Sequence, residues 1–293
     1  MNKSPEKTQV SSLAAAIALI CTAGPGVVTA TEPCDDFGEC KALIEVNSTD
    51  GDIGFHFLMD GDDLNSAWII DPDGKRIFVD RAKGPLLEQK LTETFAESAE
   101  PLCWVDPEAD PEDLENIVTL DDFLERWADG TYEFRGQSDE GEKSEGETEL
   151  TYDLPAAPIE VDFDGSVISW ERPGGSMDFE PRGDLGNCAS AAELDILVGD
   201  GRLVVHPADV AVDAYEVVFE PDVDDGDPTG SLVFSIRVPG DIATTEVTVP
   251  ADYLASLPDD TPAKVEVGAI GGEDNATFTE EDGFCINEVD GCD

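Results

Sequence analysis

The 293-residue sequence carries 68 acidic and 16 basic side chains, so its formal net charge at pH 7 is −52. Nucleic acids and anionic lipid surfaces are bound through clustered lysine and arginine, so a chain this acidic excludes both as partners. The composition is typical of a protein that works in high or marine salt, where screening reduces self-repulsion. Divalent-cation binding is the alternative explanation for so many carboxylates.

The first thirty residues have the pattern of a secretory signal peptide. A start with two lysines precedes Ser12–Ile20, an apolar run too short to span a bilayer, and residues 28–30 (VTA) form a typical cleavage site. We expect cleavage there in preference to lipidation at Cys21, because acylated cysteines usually follow a small residue and Ile20 is bulky. The mature chain, beginning near residue 31, is then a secreted or periplasmic protein.

Short apolar or alternating segments separated by Asp/Gly turns characterise residues 31–154. Strands are predicted at Ala42–Val46, Gly54–Met59, Ala67–Ile70 and Arg76–Val79. The breaks between them are residues 49–52, 60–63 and 71–74, the last of which carries a Pro-Asp-Gly hairpin signal. We therefore predict a β-sandwich-like N-terminal domain of antiparallel strands.

Three further segments of this domain differ in how well they specify a structure. One short helix is predicted at Leu120–Ala128, because its apolar side chains recur at helical spacing and Thr119 with Asp122 resembles a capping box. The segment Leu86–Phe95 fits either a helix or a strand. Residues 137–149, rich in glutamate, glycine and serine, are predicted to form the long mobile loop of a hairpin.

A proline-bracketed connector, Leu154–Pro158, marks the predicted boundary of a C-terminal domain at residues 155–293. Beyond it, apolar side chains alternate with period two in successive segments. These are Val161 with Phe163, Ser166–Pro173, Ala214–Pro221, Leu232–Val238, Thr245–Val249, Val265–Ile270 and Asn275–Phe278. The side chains predicted to form the structural core are Trp170, Tyr215, Val217, Val265 and Val267.

In their order, these segments resemble a fibronectin type III domain. Residues 166–173 look like the second strand of that family with its buried Trp170, and residues 214–221 look like the third strand with Tyr215. Ala263 stands where the family usually has a tyrosine, and an insertion at about residues 174–206 is expected to add strands to one sheet edge. The complete two-part arrangement resembles exported bacterial proteins that carry a fibronectin type III module, and this resemblance implies location but no activity.

The fold class predicted for the whole chain is all-β and mainly antiparallel. It combines an N-terminal β-sandwich-like domain, which contains one short helix, with a C-terminal fibronectin type III or immunoglobulin-like β-sandwich.

Six cysteines remain after the predicted cleavage, and an even number in an exported chain indicates disulfides. They are Cys34, Cys40, Cys103, Cys188, Cys285 and Cys292. One pairing closes two short loops, Cys34 with Cys40 and Cys285 with Cys292, and leaves Cys103 and Cys188 to pair across the domains. A rival pairing joins Cys188 to Cys285 within the second domain, and the spacing does not decide between them.

Two loop clusters of aspartate are candidate calcium sites, because carboxylate oxygens are ligands that Ca²⁺ prefers. They are Asp60, Asp62 and Asp63, and Asp222, Asp224, Asp225 and Asp227. Residues 160–171 match the spacing of an EF-hand loop except at the first position, but their alternation predicts two strands and a turn. Of the two histidines, His56 is predicted to face solvent from a strand, and His206 to lie at a strand end.

The sequence contains neither a GxSxG nor an HExxH motif. The leading hypothesis is therefore a non-enzymatic exported protein that binds a protein or glycan, an adhesion-type module of the cell envelope or exterior. It is expected to have no nucleic-acid partner, no membrane insertion and no cofactor other than calcium. The first alternative is a calcium-stabilised structural envelope protein. The second is a carboxylate-dependent hydrolase, since two of so many acids can meet across a cleft.

Overall fold

The computed structural model describes residues 34–106, 113–172, 183–224, 226–289 and 291–292 of the chain. The predicted signal peptide at residues 1–30 and the first part of the predicted insertion, residues 174–182, lie outside the described residues. Among the described residues, no helix has the length and apolar character needed to cross a bilayer.

The described chain is built mainly from strands. Strands β1 to β7 are Glu39–Asn47, Asp52–Leu64, Ser66–Ile70, Arg76–Arg81, Leu91–Glu97, Gly130–Gln137 and Lys143–Leu150. Strands β8 to β14 are Ile159–Phe163, Val167–Glu171, Ala214–Pro221, Phe234–Pro239, Glu246–Thr248, Thr261–Ile270 and Ala276–Ile286. Helices α1 to α4 are Pro85–Gln89, Leu120–Arg126, Ala191–Gly199 and Ala251–Leu254. The prediction of an all-β, mainly antiparallel fold is confirmed.

One seven-stranded sheet, called the shared sheet below, takes strands from both halves of the sequence. Its order is β11-β10-β13-β14-β1-β2-β5, and its neighbours are antiparallel except for β14 and β1, which are parallel. The parallel pair joins the C-terminal strands to the N-terminal ones, so the described residues form one compact unit. The domain boundary near residue 154 stays a proposal.

A four-stranded sheet, β4-β3-β6-β7, encloses the first core against the β1–β2–β5 end of the shared sheet. Alternation along β1 directs every second side chain into this core, including Ile44 and Val46. Helix α2 begins as predicted, because the Thr119 side chain accepts a hydrogen bond from the backbone N–H of Asp122. Its buried side chains contribute to the same core.

Strand β7 contradicts the mobile loop predicted at residues 137–149. Residues 143–150 pair with β6 in an unbroken antiparallel register, so only residues 138–142 form the turn. The prediction was wrong because Phe37, which lies outside β7, fills the space on the side of β7 that faces the core. A Cβ on Gly146 would lie 2.9 Å from the ring of Phe37, which packs over the glycine.

Strand β2 runs through the break predicted at residues 60–63, where its pairing with β5 shifts register. Gly61 allows the continuation, because a Cβ there would lie 2.7 Å from Phe37 and 2.9 Å from Leu64. The segment Leu86–Phe95, which fits both a helix and a strand, contains one of each, since α1 ends and β5 begins within it.

A three-stranded sheet, β12-β9-β8, faces the β11-β10-β13-β14 end of the shared sheet and encloses the second core. The rings of Trp170 and Tyr215 meet across the two sheets with their centroids 5.3 Å apart. All five side chains predicted as structural core are buried: Trp170, Tyr215, Val217, Val265 and Val267.

A tyrosine outside the predicted strands links helix α4 to the second sandwich. Ala263, which stands where the resembled family usually has a tyrosine, is fully buried. The hydroxyl of Tyr253, on α4, lies 3.0 Å from the carbonyl oxygen of Phe219 and 2.7 Å from that of Leu232. The tyrosine thus ties α4 to the end of β10 and to the start of β11.

The described part of the predicted insertion forms a helix where extra edge strands were expected. Ser190 and Glu193 form a capping box at the start of α3. Leu194 and Leu197 are buried and belong to the first core, although they follow the predicted boundary in sequence. The expectation was wrong because these two leucines follow helical spacing, and the segment completes the N-terminal sandwich.

Three disulfides connect the six cysteines of the described chain. The pairs are Cys34–Cys40, Cys103–Cys188 and Cys285–Cys292, which is the first of the two pairings considered from sequence. The cysteines of the first and last pairs are six and seven positions apart in sequence, whereas those of the second pair are 85 positions apart. This long-range bridge holds the segment before α3 against the segment after β5.

Replacing Cys103 and Cys188 together by alanine is expected to lower the free energy of unfolding by about 4 kcal/mol, because the bridge restricts a long loop in the unfolded chain. The same change at Cys34 and Cys40 is expected to cost only about 2 kcal/mol. Urea unfolding of the two double variants and the wild type measures both losses. Equal losses would contradict the loop-length argument.

Asn275 provides the polar link between the two halves of the molecule. The residue is fully buried, and its Oδ1 accepts a hydrogen bond from the backbone N–H of Ile44 at 2.8 Å. Its Nδ2 donates to the carbonyl oxygens of Thr151 at 3.0 Å and Asp153 at 3.4 Å. One amide therefore fixes β1 and the segment between β7 and the connector relative to the start of β14.

Replacing Asn275 by alanine is expected to lower the free energy of unfolding by about 3 kcal/mol, because buried backbone groups lose their partner. Asn47 is a matched control, since its side chain bonds only within the turn at residues 47–50. Asn47→Ala is expected to cost about 1 kcal/mol or less. Denaturant unfolding would contradict the linking role if the two losses were equal.

Candidate functional site

The first predicted calcium cluster lies where β2 runs irregularly beside β5. Asp60 is paired with Glu93 in the β2–β5 ladder, and Asp63 has a left-handed backbone. In the described part of the chain, Asp60, Asp62 and Asp63 do not belong to a group of three ligand atoms within 4.8 Å of one another. Calcium binding here stays a prediction.

The second predicted cluster follows β10. The Asp227 side chain accepts a hydrogen bond from the Thr229 backbone N–H at 2.8 Å, and this bond lowers the pKa of Asp227. The carboxylate thereby caps the short 3₁₀ turn at residues 228–231. Asp222 donates its backbone N–H to Pro262. Asp225 lies outside the described residues, and Asp224 with Asp222 stays a predicted calcium loop.

The two histidines and the EF-hand match have different outcomes. The expectation that His56 faces solvent was wrong, because the residue is only 6% exposed and its ring forms a hydrogen bond with Glu100. His206 begins the 3₁₀ turn at residues 207–209, where its Nδ1 accepts the Ala208 N–H at 3.3 Å. Residues 160–171 lie on β8, a turn and β9, as their alternation predicts.

An open border of the N-terminal sandwich is formed by residues 76–97, called the edge segment below. Strand β4 is the last strand of the four-stranded sheet, β5 is the last strand of the shared sheet, and α1 connects them. The two strands approach each other where the Thr94 hydroxyl lies 3.4 Å from the Asp80 carboxylate. Each strand has a second long side without a neighbouring strand among the described residues.

The edge segment exposes a concentration of large apolar side chains. They are Ile77, Val79, Leu86, Leu87 and Phe95. Helix α1 buries no residue, and Val79 is 52% exposed. Exposed apolar side chains beside unpaired strand edges are a combination that soluble proteins generally avoid outside interaction surfaces.

The edge segment also departs from the acidity of the rest of the chain. Its four basic residues, Arg76, Arg81, Lys83 and Lys90, equal in number its four acidic residues, Asp80, Glu88, Glu93 and Glu97. The segment therefore has no formal net charge, in a chain whose total is −52. A partner can approach this border without the repulsion that the remaining surface imposes.

Glutamates crowd the face of the shared sheet that points away from both cores. The ammonium of Lys264 lies 2.8 Å from Glu280, 3.1 Å from Glu266 and 3.4 Å from Glu220. Burial raises the pKa of Glu266 to about 7, although Lys264 opposes the shift. Three carboxylates thus share the positive charge of one ammonium.

Replacing Glu266 by glutamine is expected to stabilise the protein at pH 8 by about 2 kcal/mol more than at pH 5. The folded state retains the proton of Glu266 up to about pH 7, whereas its reference pKa is 4.5, so stability falls as pH rises between these values. Exposed Glu281 on the neighbouring strand is the control. Urea unfolding of both variants at both pH values would refute the assignment if Glu266→Gln acted equally at each pH.

Comparison with known proteins yields only distant likenesses. No family model and no curated protein matches the chain. A solved tetra-tandem repeat from the extending region of a large adhesion protein is 13% identical, with a TM-score of 0.23, over 85% of this chain and 49% of that chain. A 1.5-MDa bacterial ice-binding adhesin is 9% identical, with a TM-score of 0.22, over 88% and 66%. The chain spans about half of the first structure, and TM-scores this low carry no argument about fold or function.

Proposed function

We propose that this protein is a non-enzymatic, exported binding module of the adhesion type, which holds a protein partner at its edge segment in the periplasm or outside the cell. The observation that carries the proposal is the coincidence of two strand edges, exposed apolar side chains and zero net charge in residues 76–97. Each of these features favours association with another polypeptide.

The chemistry of the edge segment favours a protein over a glycan. The outer sides of β4 and β5 offer backbone N–H and C=O groups to an added strand, which is a recurring mode of peptide recognition. Leucine and valine side chains beside these edges supply apolar area, which stabilises association by roughly 25 cal/mol per Å² removed from water. A glycan would need aromatic side chains as well as polar groups. Phe95 is the only exposed aromatic side chain of the edge segment.

The C-terminal sandwich supports the resemblance to fibronectin type III domains. Three strands in the order β12-β9-β8 face four in the order β11-β10-β13-β14, with Trp170 and Tyr215 between them. We propose that this half is a rigid support. The shared sheet connects the C-terminal half without a break to β5, the last strand of the edge segment.

Val79→Glu combined with Leu87→Glu is expected to weaken partner binding at least tenfold, because both charges enter the apolar part of the edge segment. Both side chains are exposed, so we expect the melting temperature to change little. Val204→Glu with Val289→Glu is the matched control, since these two side chains are 79% and 67% exposed elsewhere. Immobilised mature protein would be incubated with envelope and extracellular proteins, and each captured protein purified for affinity measurements.

Support requires that a captured protein bind the wild type and the control variant equally, and the edge variant more weakly. Protection of β5 amides from hydrogen exchange in the complex would show that the partner covers this strand. A partner that binds the edge variant as tightly as the wild type would refute the proposed surface. Finding only glycan ligands would refute the protein partner.

A further inference from the structure

Three side chains with metal-ligand chemistry converge on the face of the shared sheet that points away from the cores. Glu45 lies on β1, His56 lies on β2, and Glu100 lies on the segment that follows β5. One ligand atom from each residue lies within 4.8 Å of the other two. The Nε2 atom of His56 is 3.0 Å from Oε1 of Glu100. We call this group the polar niche.

A glycine makes the polar niche possible. Gly54 is the cross-strand neighbour of Glu45 in the β1–β2 register. A Cβ on Gly54 would lie 2.8 Å from the Glu100 carboxylate and 2.9 Å from Nε2 of His56. Any other residue at position 54 would therefore displace two of the three side chains, and the missing side chain is what lets them meet above the strand.

The backbone around the polar niche is held on both sides of Glu100. The Ser98 N–H donates to the Phe55 carbonyl oxygen at 2.8 Å, and the Ile53 N–H donates to the Pro101 carbonyl oxygen at 3.3 Å. Two residues further on, Cys103 is fixed by its disulfide to Cys188. The site is therefore built on paired strands and a tethered segment.

The polar niche has more negative than positive charge available to it. His56 can balance one carboxylate when protonated, and its hydrogen bond goes to Glu100. Among the described residues, the Glu45 carboxylate has no hydrogen-bond donor. Two carboxylates therefore converge on one imidazole, and a bound cation would supply the missing charge.

We infer that Glu45, His56 and Glu100 form a binding site for a divalent transition-metal ion with the ligand preferences of zinc. Such an ion takes imidazole nitrogen and carboxylate oxygen at about 2.0–2.2 Å, which places tetrahedral ligand atoms about 3.3 Å apart. The separation of 3.0 Å between Nε2 of His56 and Oε1 of Glu100 is close to this value. All three ligand atoms lie within 4.8 Å of one another, so they would move closer by about 1.5 Å or less to bind the ion.

The ligand set distinguishes this site from the two predicted calcium loops. Calcium and magnesium prefer oxygen ligands and coordination numbers of about six or more, whereas an imidazole favours zinc and its neighbours in the transition series. Three protein ligands leave a fourth position for water or for a side chain of a bound partner. The ion would connect β1, β2 and the segment beyond β5, so its binding would stabilise the folded state.

Calorimetric titration of the mature protein with zinc, in about 0.5 M KCl to screen diffuse attraction to the acidic surface, tests the site. We expect one ion per chain, with His56→Gln weakening the affinity on the order of 100-fold. His206→Gln, which changes the other histidine of the chain, is expected to leave the affinity unchanged. Calcium in the same buffer is expected neither to compete with zinc nor to match its effect on the melting temperature.

Cobalt titration of the wild type provides a measurement that no folding defect of a variant can obscure. Replacement of water by imidazole and carboxylate in a four-coordinate site gives intense visible absorption, which zinc then abolishes by displacement. Equal zinc affinity in His56→Gln and the wild type would overturn the inference. An aqueous-like cobalt spectrum, or calcium that displaces zinc, would overturn it as well.

Discussion

The parallel pairing of β14 with β1 is the contact on which the rest of the fold depends. Residues at opposite ends of the described chain, 45–47 and 276–278, become neighbours in one sheet through this pair. Asn275 makes the arrangement specific, because its buried amide bonds a backbone group on β1 and two in the segment between β7 and the connector. A shift of register would leave these polar groups buried without partners, which costs free energy for each group.

The shared sheet explains why two sandwiches with separate cores behave structurally as one unit. Each core has its own facing sheet, yet both close against the same seven strands. The segment with Cys188 and α3 strengthens this union, because it belongs to the C-terminal half by sequence and to the first core by packing. The N-terminal half, taken alone, therefore lacks several of the side chains that fill its core.

Charge divides the surface into regions with different capacities. The face of the shared sheet away from the cores holds many glutamates and few cations. One of these cations is Lys264, which has three carboxylate neighbours. The polar niche on that face has the geometry to take a metal ion, while the edge segment has the neutrality to accept a polypeptide. The two proposed sites meet at β5, since Glu100 follows the last residue of that strand by three positions. A metal that holds Glu100 would also hold the end of the strand to which the partner is proposed to bind.

The sequence by itself determined those elements whose signal is local. Strand β10 occupies the residues predicted for it, Ala214–Pro221, because period-two alternation is written in consecutive residues. Helix α2 starts at the predicted cap because its capping signal is also local, and the even cysteine count of a chain predicted to be exported pointed to disulfides.

Only the tertiary structure decided the features that join distant residues. The sequence of β7 predicts a polar loop, and the packing of Phe37 over Gly146 is visible only in the tertiary structure. The three residues of the polar niche are 11 and 44 positions apart in sequence. The parallel pair of β1 and β14 brings together residues separated by 231 positions. Such contacts arise when separate segments bury surface against one another, and the local periodicity of a single segment carries no record of which distant segment it will meet.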